Sequence, residues 1–403
     1  MLDAPQRTVV RVGSRRSTLA LLQTKMAIDS LNKQNLNIDF EVVEMSTVGD
    51  KILGVELSKI GDKSLFTKEL EKALIDKEVD FVVHSLKDVP SALPDGLVLG
   101  CVFGRASPED VVLMAPHNRG MKLHDLPAGS TVGTSAVRRI ATLSRKFPQL
   151  KFVSIRGYAN PKCSIDSSPV RYDAIILAKA GIERMGWSDR IDEVLTDSYY
   201  AVSQGALACE CRQNDAFILD LLSRIHNESA ALTSIAERSL MRQLDGGCSI
   251  PISVRSYLSE NDSKLTLHAN ILSIDGVESV EGCAAAVLPK TAPVNRDSTE
   301  LLNSGEHNGE IGRNASLIEN NMTLVSTATE NELKAASDPS SVFMGVMVTP
   351  ISEVSRLRMA ISRSLGSVVG NNLRMAGGDK ILHEIRSQSS GHMSHEYNLT
   401  SSK

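Results

Sequence analysis

The sequence predicts an α/β fold with two lobes and a cleft, followed by a small α+β unit. Three observations carry this expectation. Short apolar strands alternate with amphipathic helices through roughly the first 225 residues. That stretch is longer than one compact sheet needs, so two lobes are expected. After about residue 228 the pattern changes to a helix, three alternating strands and a last helix.

The elements follow in chain order. Thr8–Gly13 is rich in Val and reads as a strand, and Thr18–Leu31 has the spacing of an amphipathic helix. Phe40–Met45 is a strand, Lys68–Asp76 a helix, Asp80–His84 a strand and Leu97–Phe103 another. Asp110–Met114 and Thr131–Gly133 are short strands, and Ala136–Phe147 is a helix before a strand at Lys151–Ile155. Asp173–Leu177 is a compact apolar strand that leads into a helix at Ala178–Met185. Short runs of this kind, apolar throughout, suit a sheet covered on both faces. A strand at Ala206–Glu210 precedes the helix Asp215–Ile225. The helix Ala230–Leu244 ends at Asp245-Gly246-Gly247, a glycine pair suited to termination. Strands follow near Ile252–Ser259, Leu265–Leu272 and Val280–Val287, then a helix from Glu353 and a piece at Lys380–Ile385. Residues 289–340, rich in Ser, Asn, Thr and Glu, read as a disordered or weakly ordered insertion, and the tail from Ser387 has a similar character.

Composition narrows the function classes. The chain has 403 residues, 44 Lys plus Arg against 48 Asp plus Glu, and a net charge of −4. At 42% hydrophobic and 23% charged it has the make-up of a globular protein with several cores. No apolar run is long enough for a membrane helix. The first residues lack an apolar core of the signal-peptide kind, which points to the cytoplasm. Near-neutral charge argues against a general nucleic-acid binder. The six cysteines, Cys101, Cys163, Cys209, Cys211, Cys248 and Cys283, contain no CxxC and no zinc-finger spacing. They read as free thiols, with Cys209 and Cys211 as packing residues and no metal site.

Three basic clusters each follow a predicted strand and open a helix: Gly13-Ser14-Arg15-Arg16-Ser17, Val83-His84-Ser85-Leu86-Lys87-Asp88-Val89-Pro90 and Gly133-Thr134-Ser135-Ala136-Val137-Arg138-Arg139. Ligands bind at the carboxyl ends of strands in open α/β sheets, and helix N-termini attract anions. Arginine there suits bidentate recognition of carboxylate or phosphate. Arg156 after Lys151–Ile155 and Arg184 after Asp173–Leu177 repeat the pattern. One cluster alone reads more readily as solvated surface; several at equivalent strand ends point to a polyanionic ligand. Asp88 is either a cap and salt-bridge partner or, in a cationic cleft, a carboxylate that stabilises a developing cation or relays protons. His84 reads as a structural hydrogen-bonding residue. Cys248 is either a small buried residue in a tight turn or an accessible thiolate able to hold an electrophile covalently. No Ser-His-Asp set, GxSxG, Walker A or complete GxGxxG occurs.

Taken together, the chain resembles the porphobilinogen deaminase (hydroxymethylbilane synthase) family. The resemblance runs from about Arg11 to Val287 and resumes in the C-terminal helical segment. It rests on Arg15-Arg16-Ser17, Met45-Ser46-Thr47-Val48-Gly49-Asp50-Lys51, Lys63-Ser64-Leu65-Phe66-Thr67-Lys68-Glu69-Leu70-Glu71, Val83 to Pro90, Val132-Gly133-Thr134-Ser135, Gln204-Gly205-Ala206 and Gly246-Gly247-Cys248-Ser249-Ile250-Pro251. It implies two lobes like those of periplasmic solute-binding proteins, at 8–105 with 206–227 and at 106–205, and a third domain at 228–288 with 341–388. It also implies a transferase that joins four porphobilinogen molecules head to tail, releasing ammonia and yielding hydroxymethylbilane. The implied cofactor is dipyrromethane, attached as a thioether at Cys248.

By the same resemblance Asp88 is the catalytic carboxylate. Arg15, Ser17, Lys87, Arg138, Arg139, Arg156 and Arg184 match cofactor- and substrate-carboxylate positions. Lys63 and Lys68 match the loop bordering the cleft, and Ser85, Thr134, Ser135 and Gln204 lie in matched motifs. A monomer that binds porphobilinogen, and neither nucleic acid nor membrane, is the family expectation. Many carboxylates on a growing pyrrole chain account for cations gathered on a slightly acidic protein.

One segment departs from the family pattern. After Arg156-Gly157 the run Tyr158-Ala159-Asn160-Pro161-Lys162-Cys163-Ser164 lacks the usual Asn, Thr, second Arg and Leu. Lys162 keeps a charge at a substrate position without the bidentate fork. Divergence, impairment and an alternative exon or gene-model error are three explanations. The second functional reading is therefore an impaired or non-catalytic tetrapyrrole- or polyanion-binding protein on the same scaffold.

Overall fold

Three sheets organise the chain, and two strand crossings between the first two determine the layout. The computed structural model describes residues 7–51, 65–155, 172–245, 250–290, 323–325 and 328–388. The strands are β1 (Val9–Arg15), β2 (Asp39–Met45), β3 (Phe81–Ser85), β4 (Leu97–Arg105), β5 (Asp110–Met114), β6 (Thr131–Gly133) and β7 (Lys151–Val153). They continue as β8 (Ala174–Ala178), β9 (Glu193–Val194), β10 (Ala206–Arg212), β11 (Ile252–Leu258), β12 (Lys264–Leu272), β13 (Ser279–Val287) and β14 (Thr323–Val325).

The first sheet has the order β2-β1-β3-β10-β4 and the second β7-β6-β8-β5-β9. Each has four strands running one way and one strand that arrives from the other lobe and runs antiparallel to them: β10 in the first, β5 in the second. The two sheets are thus the same arrangement used twice. Phe81, Val82, Val83 and His84 on β3 are all buried, because both faces of that sheet are covered.

The helices are α1 (Thr18–Asn32), α2 (Val48–Lys51), α3 (Lys68–Ile75), α4 (Val137–Lys146), α5 (Lys179–Arg184), α6 (Ala216–Ser223), α7 (Glu228–Gln243), α8 (Glu330–Ser337) and α9 (Glu353–Leu373). Ser17 caps α1 by accepting from the Ala20 N–H at 3.3 Å. The third sheet, β11-β12-β13-β14, packs against α7 and α9 around the largest apolar cluster. Those two helices approach closely at Gly366, where a Cβ would lie 2.1 Å from the Ala236 carbonyl oxygen. A one-turn irregularity at Arg374–Gly378 precedes a final helical stretch over residues 379–388. No described helix is long and apolar enough to cross a membrane.

Expected and observed elements agree to within a few residues from β1 to β13, apart from the one-turn helix α2 and the two-residue strand β9, both too short to announce. The stretch 289–340 needs correction. Within it Thr323–Val325 pairs parallel with β13, and Glu330–Ser337 is a helix with a reciprocal Thr329–Glu332 cap at 2.6 and 3.3 Å. Low hydrophobicity concealed both. The strand uses the free edge of β13, and the helix packs on α9.

The crossings between lobes lie beside α7. Arg105, ending β4, gives two parallel hydrogen bonds to Glu237 at 2.8 and 3.0 Å. Glu237 also accepts from the Ser203 N–H at 2.6 Å and the Ser256 hydroxyl at 2.5 Å. Gly205 has φ +87°, and a Cβ there would lie 2.2 Å from the Ala106 carbonyl oxygen. The crossings are therefore tied to each other and to the third domain.

Candidate active site

The first-lobe part of the site grows from the ends of β1 and β3. The chain leaves β3 at Ser85 and makes one tight turn, Leu86–Asp88. Leu86 is fully buried and anchors that turn, while Asp88 is half-buried. Arg15, Gln23, Phe66, Ser85 and Asp88 line one small hollow. Gln23 and Ser85 exchange hydrogen bonds at 2.8 and 3.1 Å across its wall. The Asp88 carboxylate has no hydrogen bond or ion pair among the described residues. Beneath it, His84 Nε2 meets Glu210 at 2.9 Å, both buried, the structural role expected of His84.

Lys87 projects beside Asp88 and also makes no ion pair among the described residues. It is open to water yet ringed by protein, as a side chain standing inside a cleft is. Burial pushes its ammonium below the ordinary lysine value; Asp88 opposes that shift and Arg139 adds to it. Asp110 of the second lobe also opposes the shift, and Arg138 at the start of α4 adds to it.

Arg138 and Arg139 are differently engaged from what their sequence position suggests. Both are buried and each gives one Nη2 bond of 2.8 Å to Asp110. Their Nη1 groups donate to the Tyr199 and Ile176 carbonyls, each at 3.0 Å. Gln204, also buried, donates to Asp110 at 2.8 Å and to the Pro108 carbonyl at 2.6 Å. Burial alone would raise the Asp110 carboxyl, but Arg138 and Arg139 outweigh it and hold it well below the usual carboxylate range. Two guanidiniums against one carboxylate leave this wall of the cleft net positive.

Arg184 donates to the Gly205 carbonyl at 2.6 Å, which joins α5 to the lobe crossing. Burial lowers its guanidinium to about 10, with Glu183 opposing. Thr134 is fully buried, and its hydroxyl has no hydrogen-bond partner in the described structure; Ser135 beside it is half-buried. Lys68 opens α3 as an exposed side chain, and Ser17 is occupied as a helix cap. Lys63, Arg156, Lys162 and Cys248 lie outside the described residues, as does the 158–170 departure. The described cysteines, Cys101, Cys209, Cys211 and Cys283, are free, and the first three are buried.

Sequence reasoning missed Asp110 as the hub for two arginines, and Gln23 as part of the hollow. Asp110 was visible only as the first residue of a strand; its partners lie 28 and 29 positions away. Asp50 was visible as part of a motif, but not as the partner of Arg15. Arg15 donates through Nε to Asp50 at 3.3 Å and through Nη2 to its other oxygen, and stacks on the Phe66 ring at 4.3 Å. No group of side chains able to hold a metal ion occurs among the described residues.

Fold and site define a two-lobed α/β protein with cations gathered at its strand ends. The family model described as porphobilinogen deaminase, dipyromethane cofactor binding domain, matches residues 10–220, and that of the porphobilinogen deaminase C-terminal domain matches 231–293. The chain is 47% identical to the porphobilinogen deaminase of Gloeobacter violaceus over 291 residues, 71% of this chain and 87% of that protein. It is 42% identical to that of Dictyostelium discoideum over 289 residues, 70% of this chain and 89% of that one. Among solved structures, the Bordetella pertussis BvgS periplasmic VFT2 domain is similar at a TM-score of 0.33 and 17% identity, covering 57% of this chain and 92% of that one. This chain belongs to the porphobilinogen deaminase family.

Proposed function

We propose that this chain is a transferase of tetrapyrrole biosynthesis. It condenses four porphobilinogen molecules head to tail, releases ammonia and yields hydroxymethylbilane. The observation that carries this reading is Asp88. Its carboxylate, unpaired among the described residues, shares one hollow with Arg15 and Ser85 and adjoins the open cation Lys87.

The described residues fit a cofactor bearing acetate and propionate groups: Lys87 stands unpaired in the cleft and the Thr134 hydroxyl is buried without a partner. When bound, dipyrromethane supplies the free pyrrole carbon to which the first substrate unit is joined. Cys248 is proposed to hold it, and Ser17, Arg138, Arg139, Arg156 and Arg184 to shape the cationic surroundings. Arg15 and Lys87 receive substrate carboxylates. Asp88 faces the substrate aminomethyl group, offsets the positive charge left when ammonia departs, and accepts the proton lost from the attacked pyrrole carbon. Ser85, Ser135 and Gln204 line or brace the same region, and Lys63, Lys68 and Lys162 border it.

The chain is read as a cytoplasmic monomer acting on a small molecule, with neither membrane nor nucleic acid as a partner. Its lobes are assigned to 8–105 with 206–227 and to 106–205, and its third domain to 228–288 with 341–388. The net charge of −4 argues against a nucleic-acid partner, and no described helix is long and apolar enough to cross a membrane. Intact mass of the purified protein and of Cys248→Ser tests the anchor: the parent carries a two-pyrrole adduct and the variant lacks it. Incubation with porphobilinogen then releases ammonia and forms an oxidisable linear tetrapyrrole. An adduct-bearing protein that forms neither overturns the proposal.

A further inference from the structure

Arg15 has only part of its guanidinium free. Nε and Nη2 both face Asp50, as a fork on a carboxylate. Asp50 is itself fixed: its Oδ2 accepts from the Thr47 N–H at 3.1 Å and the Thr47 hydroxyl at 2.7 Å, and Thr47 is fully buried. The Phe66 ring covers one face of the guanidinium at 4.3 Å. Phe66 also closes against the turn that carries Asp50: a Cβ on Gly49 would lie 2.3 Å from the ring, and the Gly49 N–H donates to the Leu65 carbonyl at 2.8 Å. One edge and one face of Arg15 are thus occupied by protein. Nη1 has no partner among the described residues and remains for a ligand in the hollow shared with Asp88.

We propose that Asp50 is a positioning residue, which with Phe66 holds the Arg15 guanidinium in one orientation so that a substrate carboxylate is received through a single remaining edge beside Asp88. This rests on the reading of Arg15 as a carboxylate receptor. A long arginine left loose must be ordered by the substrate, at a cost in affinity; an arginine held beforehand avoids that cost. The carboxylate of Asp50 supplies what an amide cannot: two acceptor oxygens matched to the fork.

The test is steady-state kinetics on full-length, cofactor-loaded Asp50→Asn, Thr47→Val and Arg15→Lys, with melting temperature measured alongside. Asp50→Asn is expected to raise the KM for porphobilinogen about tenfold while kcat changes less than about threefold. Thr47→Val keeps the carboxylate but loosens it, so KM rises by about two- to threefold. A purely structural Asp50 would lower the melting temperature and the active fraction and leave KM unmoved. An unchanged or lower KM in Asp50→Asn overturns the proposal; if that variant does not fold, an unchanged KM in Thr47→Val does so. Arg15→Lys separates the two ideas. If it leaves KM unchanged, the receptor reading fails; if it raises KM and Asp50→Asn does not, the positioning role alone fails.

Discussion

Arg105 and Glu237 meet through two parallel hydrogen bonds of 2.8 and 3.0 Å, with the carboxylate wholly buried. Arg105 ends the strand that leaves the first lobe, and Glu237 belongs to the helix of the third domain. The pair fastens the lobe crossing to a helix that precedes Cys248 in the chain by fewer than a dozen residues. Removing one charge from a buried pair strands the other. Glu237→Gln is therefore expected to destabilise the fold by about 3–5 kcal/mol. A denaturant midpoint equal to that of the parent would remove this pair from the support of the crossing.

Two glycines of the crossings should respond differently to alanine. Gly104 has φ +95° with nothing within 4 Å of a Cβ, so only backbone strain applies, about 1–2 kcal/mol. Gly205 has φ +87° and the Ala106 carbonyl oxygen 2.2 Å from a Cβ. Gly205→Ala must move one crossing strand against the other, and a loss above about 3 kcal/mol is expected. Equal melting temperatures for the two variants would contradict this ordering.

Asp88→Asn should leave the fold intact, because no described hydrogen bond holds that carboxylate. The variant keeps its shape and loses its charge. Turnover of porphobilinogen is expected to fall by at least about a hundredfold, with the adduct still present by mass. Turnover within a few fold of the parent would take Asp88 out of the mechanism.

His226 sets a pH dependence of stability. Its Nδ1 accepts from the Val102 N–H at 3.3 Å, and burial lowers its pKa to about 4. The neutral ring is the one that fits. Between about pH 6.5 and 4 the unfolded chain takes up a proton that the folded chain refuses, so stability falls as pH is lowered through that window. The full effect is roughly 3 kcal/mol. In His226→Gln this part of the slope should vanish from melting temperatures measured over the window; an identical slope would show that other groups are responsible.

Much of this architecture was legible in the residues. Apolar runs such as Val111-Val112-Leu113 announced covered strands, and alternation along Leu265–Leu272 announced a sheet with one face on a core. The basic clusters marked the strand ends, because a cation just after a short apolar run has few other places to go. The strand Thr323–Val325 and the helix Glu330–Ser337 were not legible. Their stability comes from the β13 edge and from α9, which their own composition does not record.

By itself the sequence determined the order of strands and helices, the positions of the cationic strand ends and the family motifs around Asp88 and Cys248. Each depends on neighbours close in the chain, through side-chain periodicity, caps and local charge. Only the tertiary structure decided how those cations are employed. Asp110 takes one edge from each of Arg138 and Arg139, and Asp50, 35 positions from Arg15, takes an edge of that guanidinium. Lys87, one residue from Asp88, is left open to the cleft. Hydrogen-bond capacity is spent between groups brought together by folding, so local pattern identifies a charge but does not say whether it is still free to bind.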